Sequence, residues 1–149
     1  MFGDGGTRMR VELLDVIHYP RPGWMPWHTI ETPNPDWPAV EAAIRRLDRR
    51  EWPFVTLHTV APVDGKVPIH ALTVMGGRGE YTLFLSQGDD EVYYEDAARG
   101  RSLVRIWESD QGSVVEERSL CNDIERVLAI TRHFAGRAEL DPSVTWVRW

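Results

Sequence analysis

The chain reads as an α+β protein, with one antiparallel sheet of about five to seven strands and two helices packed on it. Three observations predict this. Two segments, Trp37 to Arg50 and Asn122 to Ala135, repeat apolar residues at helical spacing. Short runs between Phe54 and Val115 alternate with a period of two. The joints between those runs are too short for the long crossovers that parallel strands require. At 149 residues, the chain suits a single domain over 1–149, with an N-terminal strand and Pro/Trp-rich loop in 1–33 and a core in 34–146.

The first strand is expected within Arg8 to Tyr19, where Val11, Leu13, Val16 and Ile17 supply apolar positions. Pro20, Pro22, Pro26 and Pro33 then remove amide donors and fix φ, so Pro20 to Pro33 is expected to be an extended loop lying over the core. It carries Trp24 and Trp27, which suit either aromatic anchors for a partner or lids on the domain's own core. Asn34-Pro35-Asp36 opens a helix to Arg50, with Trp37, Val40, Ala43, Ile44 and Leu47 on its apolar face and arginines at its C-terminal end.

Strands are expected at Phe54 to Val60, Ile69 to Met75, Tyr81 to Ser86, Val92 to Tyr94, Leu103 to Trp107 and Val114-Val115. Turns fall at Pro62 to Lys66, Gly76 to Gly79, Gln87 to Asp90 and Ser109 to Ser113. The glycine run Gly76-Gly77-Arg78-Gly79 has strand chemistry on both flanks, which favours a hairpin over a phosphate cradle. The last helix opens with Asn122 and Glu125 at capping-box spacing and is expected to end before Gly136, with Ile124, Val127, Leu128, Ile130 and Phe134 as its buried stripe.

The composition, 42% hydrophobic and 27% charged, excludes global disorder. The net charge of −6 argues against a protein that binds nucleic acid by neutralising phosphates. That charge is regional. From Glu80 to Glu117, ten acids face three bases, and the remainder of the chain is close to neutral. Such a field can steer a basic partner, or can serve only as a solvated face. One cysteine, Cys121, excludes an internal disulfide and any multi-cysteine metal site. No run approaches the length of a membrane span and Met1 to Gly6 lacks signal-peptide character, so a cytoplasmic protein without membrane contact is expected.

No catalytic constellation emerges. The five histidines include no pair at the i, i+4 spacing of a helical zinc site, although His58 and His70 could meet across strands. No serine sits in a nucleophile elbow. Asp89-Asp90 and Glu116-Glu117 are sequence neighbours, which point to opposite faces of a strand. The residues therefore rank a binding protein above an enzyme, with no catalytic residue, metal or cofactor assigned. The competing reading is an enzyme or small-molecule binder with a sheet–helix cleft lined by His58, His70, Tyr81, Tyr93 and Tyr94. A third is a scaffold or regulatory module.

Three segments carry a family resemblance. They are the helix Trp37 to Asp48, the strand ending in Gly76-Gly77 that leads to Tyr81, and the C-terminal run Arg132-His133-Phe134-Ala135-Gly136-Arg137-Ala138-Glu139-Leu140 followed by Thr145-Trp146. In this order they resemble the Imm1 (DddI-like) immunity proteins of bacterial toxin–immunity systems, over roughly Thr32 to Trp146. The Trp- and Pro-rich N-terminal loop and the acidic stretch share no motif with that family. The resemblance implies a cytosolic antidote that binds a cognate toxin domain and blocks its active site, with no chemistry of its own and no direct contact with nucleic acid. A nucleic-acid deaminase or nuclease is the expected toxin. The acids Asp89, Asp90, Glu91, Glu95, Asp96, Glu108, Asp110, Glu116 and Glu117, with Trp24 and Trp27, are the expected partner-binding residues. Gly76, Gly77, Gly136 and Trp146 are assigned to turns, capping and core.

Overall fold

The computed structural model describes residues 9–20, 27–59, 70–108 and 113–148. In chain order the elements are β1 (Leu13–His18), β2 (His28–Pro33), α1 (Trp37–Arg45), β3 (Phe54–His58), β4 (His70–Gly77), β5 (Glu80–Gln87), β6 (Asp90–Glu95), β7 (Leu103–Arg105), β8 (Val114–Glu116), α2 (Ile124–Arg137) and β9 (Thr145–Arg148). Seven strands form one antiparallel sheet in the order β2-β1-β3-β4-β5-β6-β9. β7 and β8 form a separate two-stranded ribbon. The fold is α+β with one main sheet, as the sequence predicts.

Alternation sorts the strand residues between two faces. Leu14, Val16, Val55, Leu57, Leu72, Val74, Leu83 and Leu85 share one core with Val40 and Ile44 of α1 and Val127, Ile130 and Phe134 of α2. Both helices therefore cover the same face. α1 is the crossover between β2 and β3, which flank β1 on either side. Its start matches expectation. Asp36 is the N-cap, its Oδ1 accepting from the Ala39 N–H at 2.9 Å, and a proline stands in the first turn.

Its end does not match. The helix stops at Arg45 rather than Arg50, because Asp48 Oδ1 takes the Arg50 and Trp52 N–H groups at 2.9 and 2.8 Å and bends the chain away from the helical path. Leu47 remains buried. The turn built by Asp48 clasps the β4–β5 hairpin: Asp48 bridges to Gly77, the Arg49 N–H donates to Gly76 O at 3.0 Å, and Arg49 Nε donates to Gly77 O at 2.9 Å. Gly76 and Gly77 have φ of +134° and +138°, and an added Cβ on Gly77 would lie 2.6 Å from the backbone of Leu47 and Asp48. They are a close-approach site at the end of β4. The hairpin turn itself is Arg78-Gly79, both at positive φ.

The Pro20-to-Pro33 loop also needs correction, since its second half is the edge strand β2. The Asn34 N–H donates to Glu12 O at 2.8 Å, and the register pairs Leu14 with Thr32, Val16 with Ile30 and His18 with His28. Residues 28, 30 and 32 therefore bond β1, whereas Thr29, Glu31 and Pro33 turn their backbone groups outward. Pro33 stands where an amide donor would have no partner within the sheet, which is where an edge tolerates it. Residues 21–26, Trp24 among them, lie outside the described residues, as do the Pro62-to-Lys66 turn and most of the Ser109-to-Ser113 turn.

α2 is capped by Asp123 rather than Asn122, with Asp123 Oδ1 accepting from the Glu125 N–H at 3.0 Å. It runs through Gly136 to Arg137, and Ala138 takes the left-handed position at φ 57°. β9 is an element the sequence reading did not assign. It pairs with β6, and Trp146 stands edge-on to Tyr94 while its Nε1–H donates to Asp141 O at 2.9 Å.

Candidate functional site

The predicted acids fall into two groups at opposite ends of β6. The first is the tip of the β5–β6 hairpin, a two-residue turn of Gly88 and Asp89 closed by the pair Gln87 and Asp90. Gly88 has φ of 60°, which suits the first position of such a turn. Asp89, Asp90 and Glu91 are all exposed. Asp90 has Arg148 at 3.6 Å, an exposed pair of little energetic consequence. Glu91 accepts a hydrogen bond from the Tyr93 hydroxyl at 3.1 Å.

The second group is partly compensated from within, by three arginines. Glu95 and Glu116 meet Arg118 at 3.3 and 2.6 Å. Glu80 and Glu117 meet Arg99 at 3.2 and 3.9 Å, and Arg99 Nη1 also donates to Leu120 O. Asp96 accepts from the Ala98 N–H, and Glu108 lies 3.8 Å from Arg78. These contacts tie the segment after β6 to the sheet, so Glu95, Asp96, Glu116 and Glu117 act as internal fasteners. Sequence counting missed this because Arg118 lies one residue past the acidic window and pairing across a turn leaves no periodic signal. At roughly 3.4 Å per residue, the two groups stand more than a nanometre apart along β6. Asp110 lies outside the described residues.

Trp27 is 40% exposed. Its ring packs against Tyr19 at 5.8 Å, and Tyr19 packs on Trp107 at 5.3 Å, which in turn meets Phe54 at 5.8 Å. This aromatic group lies at the β1–β2 side of the sheet. Five strand spacings of about 4.8 Å separate β2 from β6, so Trp27 and the acidic tip do not form one patch.

The cleft expected from the competing reading is not assembled. His70, Tyr81 and Tyr94 lie on the helix-covered face, with His70 5.5 Å from Phe134, whereas His58 and Tyr93 lie on the other. His58 pairs in register with Ala71, one residue from His70, and a period of two sends the two rings to opposite sides. His58 Nε2 lies 2.9 Å from Asp15 Oδ2, while Asp15 Oδ1 and His58 Nδ1 are buried without a hydrogen-bond partner. Among the described residues, no three His, Cys, Asp or Glu side chains converge to hold a metal ion. Of the five residues expected to line that cleft, only Tyr94 reaches either of two open hollows of about 860 and 440 Å³, in the wall of the smaller one. Cys121 is buried, and burial pushes its thiol pKa up, away from the reactive thiolate.

Burial, reinforced by the Glu91 charge, pushes Tyr93 up to about 12, and burial beside Cys121 does the same for Tyr94. The unfolded chain ionises these phenols from about pH 10 while the native chain keeps them neutral. Their contribution to stability is thus complete below pH 10 and is lost as pH rises toward 12. The thermal midpoint is expected to fall across that window, and Tyr93→Phe should make the fall shallower; an unchanged slope would show that Tyr93 has no part in it.

No family model matches the chain, and no curated protein matches it. No helix among the described residues is long and apolar enough to cross a membrane.

Proposed function

We propose that the protein is an immunity protein that binds and occludes the active site of a toxin domain acting on nucleic acid, a deaminase or a nuclease, in the cytoplasm of the producing cell. The observation that carries this reading is the acidic trio Asp89, Asp90 and Glu91 at a two-residue hairpin tip, all exposed, with Arg148 beside Asp90 as their one ion pair among the described residues. A toxin that holds nucleic acid needs a basic groove for phosphates, and an exposed carboxylate cluster fits that groove by charge and accelerates encounter. The three segments that resemble the Imm1 family support the same reading.

The test uses a toxin domain encoded at the C-terminus of a large secreted protein by the gene immediately upstream, the partner this function requires. Co-expression is expected to protect cells, and the purified pair to form a complex. Reversing Asp89, Asp90 and Glu91 to lysine should slow association on the order of tenfold or more at low salt, with a smaller effect at high salt. An on-rate that does not move would remove the tip from the interface, and failure to protect or to form a complex would remove the function.

A further inference from the structure

We propose that β2 is a self-association edge through which two copies of this chain join their sheets across a two-fold axis. β2 ends the seven-stranded sheet, and among the described residues no strand lies beyond its outward backbone groups at Thr29 and Glu31. Edges of this kind are usually blunted by charge, by prolines or by brevity. β2 is six residues long, and its one proline, Pro33, is at its end. It also gathers two of the four large exposed apolar side chains among the described residues, Ile30 on it and Trp27 beside it, at 41% and 40% exposure.

The sequence of this edge complements itself in one register. Antiparallel pairing about Ile30 sets Thr29 opposite Glu31 of the second copy. Each Thr29 N–H then meets a Glu31 carbonyl, and each Glu31 N–H a Thr29 carbonyl. Ile30 faces Ile30 across the axis as a close, non-hydrogen-bonded pair. Trp27 comes opposite Pro33, so the missing Pro33 N–H falls at the end of the new ladder rather than inside it. Charge allows the approach, because His28 and Glu31 are the only ionisable side chains on β2 and neither opposes its own kind in this register. The acidic strand β6 lies on the far side of the sheet. An edge pairing covers a small area, so the association is expected in the micromolar range.

Sedimentation velocity of the full chain over a concentration series tests this. The expected result is a monomer that becomes a dimer as concentration rises. Thr29→Pro removes an outward N–H that β1 does not use, and should weaken dimerisation roughly tenfold or more while leaving the thermal midpoint in place. Ile30→Cys tests the register independently. Facing Cα atoms in such a pair lie about 4.5 Å apart, within disulfide reach, so mild oxidation should link the dimer, whereas Thr29→Cys should link poorly. A chain that stays monomeric at every concentration would overturn the proposal. So would a dimer indifferent to Thr29→Pro, or equal cross-linking by the two cysteine variants. Loss of toxin binding by Thr29→Pro in a chain that never dimerises would assign the edge to the toxin instead and also overturn self-pairing.

Discussion

Gly77→Ala is expected to destabilise the protein by about 3–5 kcal/mol, lowering the thermal midpoint by about 10 °C or more. Two terms act together. At φ +138° the backbone lies where an alanine is strained, and the new Cβ would sit 2.6 Å from the backbone of Leu47 and Asp48. Those atoms cannot swing aside as a flexible side chain would, because the Asp48 turn is bonded to Trp52 and to the hairpin. Gly79→Ala is the control. It is also at positive φ, but its Cβ would meet nothing within 4 Å, so about 1 kcal/mol is expected. Equal losses in the two variants would rule out the close approach at Gly77.

Phe134→Ala is expected to remove a further about 3–5 kcal/mol, measured by urea unfolding with the denaturant slope unchanged. Phe134 is fully buried where α2 crosses the sheet, with His70 against its ring. Truncation leaves a cavity that β4 and α2 cannot readily close, since β4 is paired on both edges and α2 packs on both α1 and the sheet. A loss under about 1 kcal/mol would mean that the core collapses into the gap. Such a variant would also separate stability from recognition. On the proposed immunity function, it should protect cells poorly because less folded protein is present, yet its folded fraction should meet the toxin at the normal rate, the reverse of the pattern expected for the Asp89, Asp90 and Glu91 reversal.

Much of the fold was legible because its main elements obey simple periods. The α2 stripe through Val127, Ile130 and Phe134 is helical whatever surrounds it, and the two hairpins around Arg78-Gly79 and Gly88-Asp89 carry turn residues that few other conformations use. β2 was hidden by its prolines, since only the register shows that Pro33 faces away from β1. The end of α1 was hidden because Leu47 continues the apolar spacing while the neighbouring Asp48 side chain takes up backbone donors. The acidic region was legible as a sum but not as a geometry. Which carboxylates meet Arg99 and Arg118 depends on how the excursion between β6 and α2 returns to the sheet. Among the described residues, Asp89, Asp90, Glu91 and Glu108 are the exposed members of the expected acidic set, and only the first three lie together, at one hairpin tip.

The strand order also has a kinetic consequence. Four of the six pairings in the main sheet join strands that follow one another in the chain. Those hairpins close short loops and form early. The β6–β9 pairing instead waits on closure of a span on the order of fifty residues, which must first lay down the ribbon and α2. β9 is therefore expected to dock after the hairpins, with its amides gaining hydrogen-exchange protection later than those of β4 and β5. The same closure cost makes the β6–β9 seam, with Trp146 upon it, the expected first place for the native sheet to part.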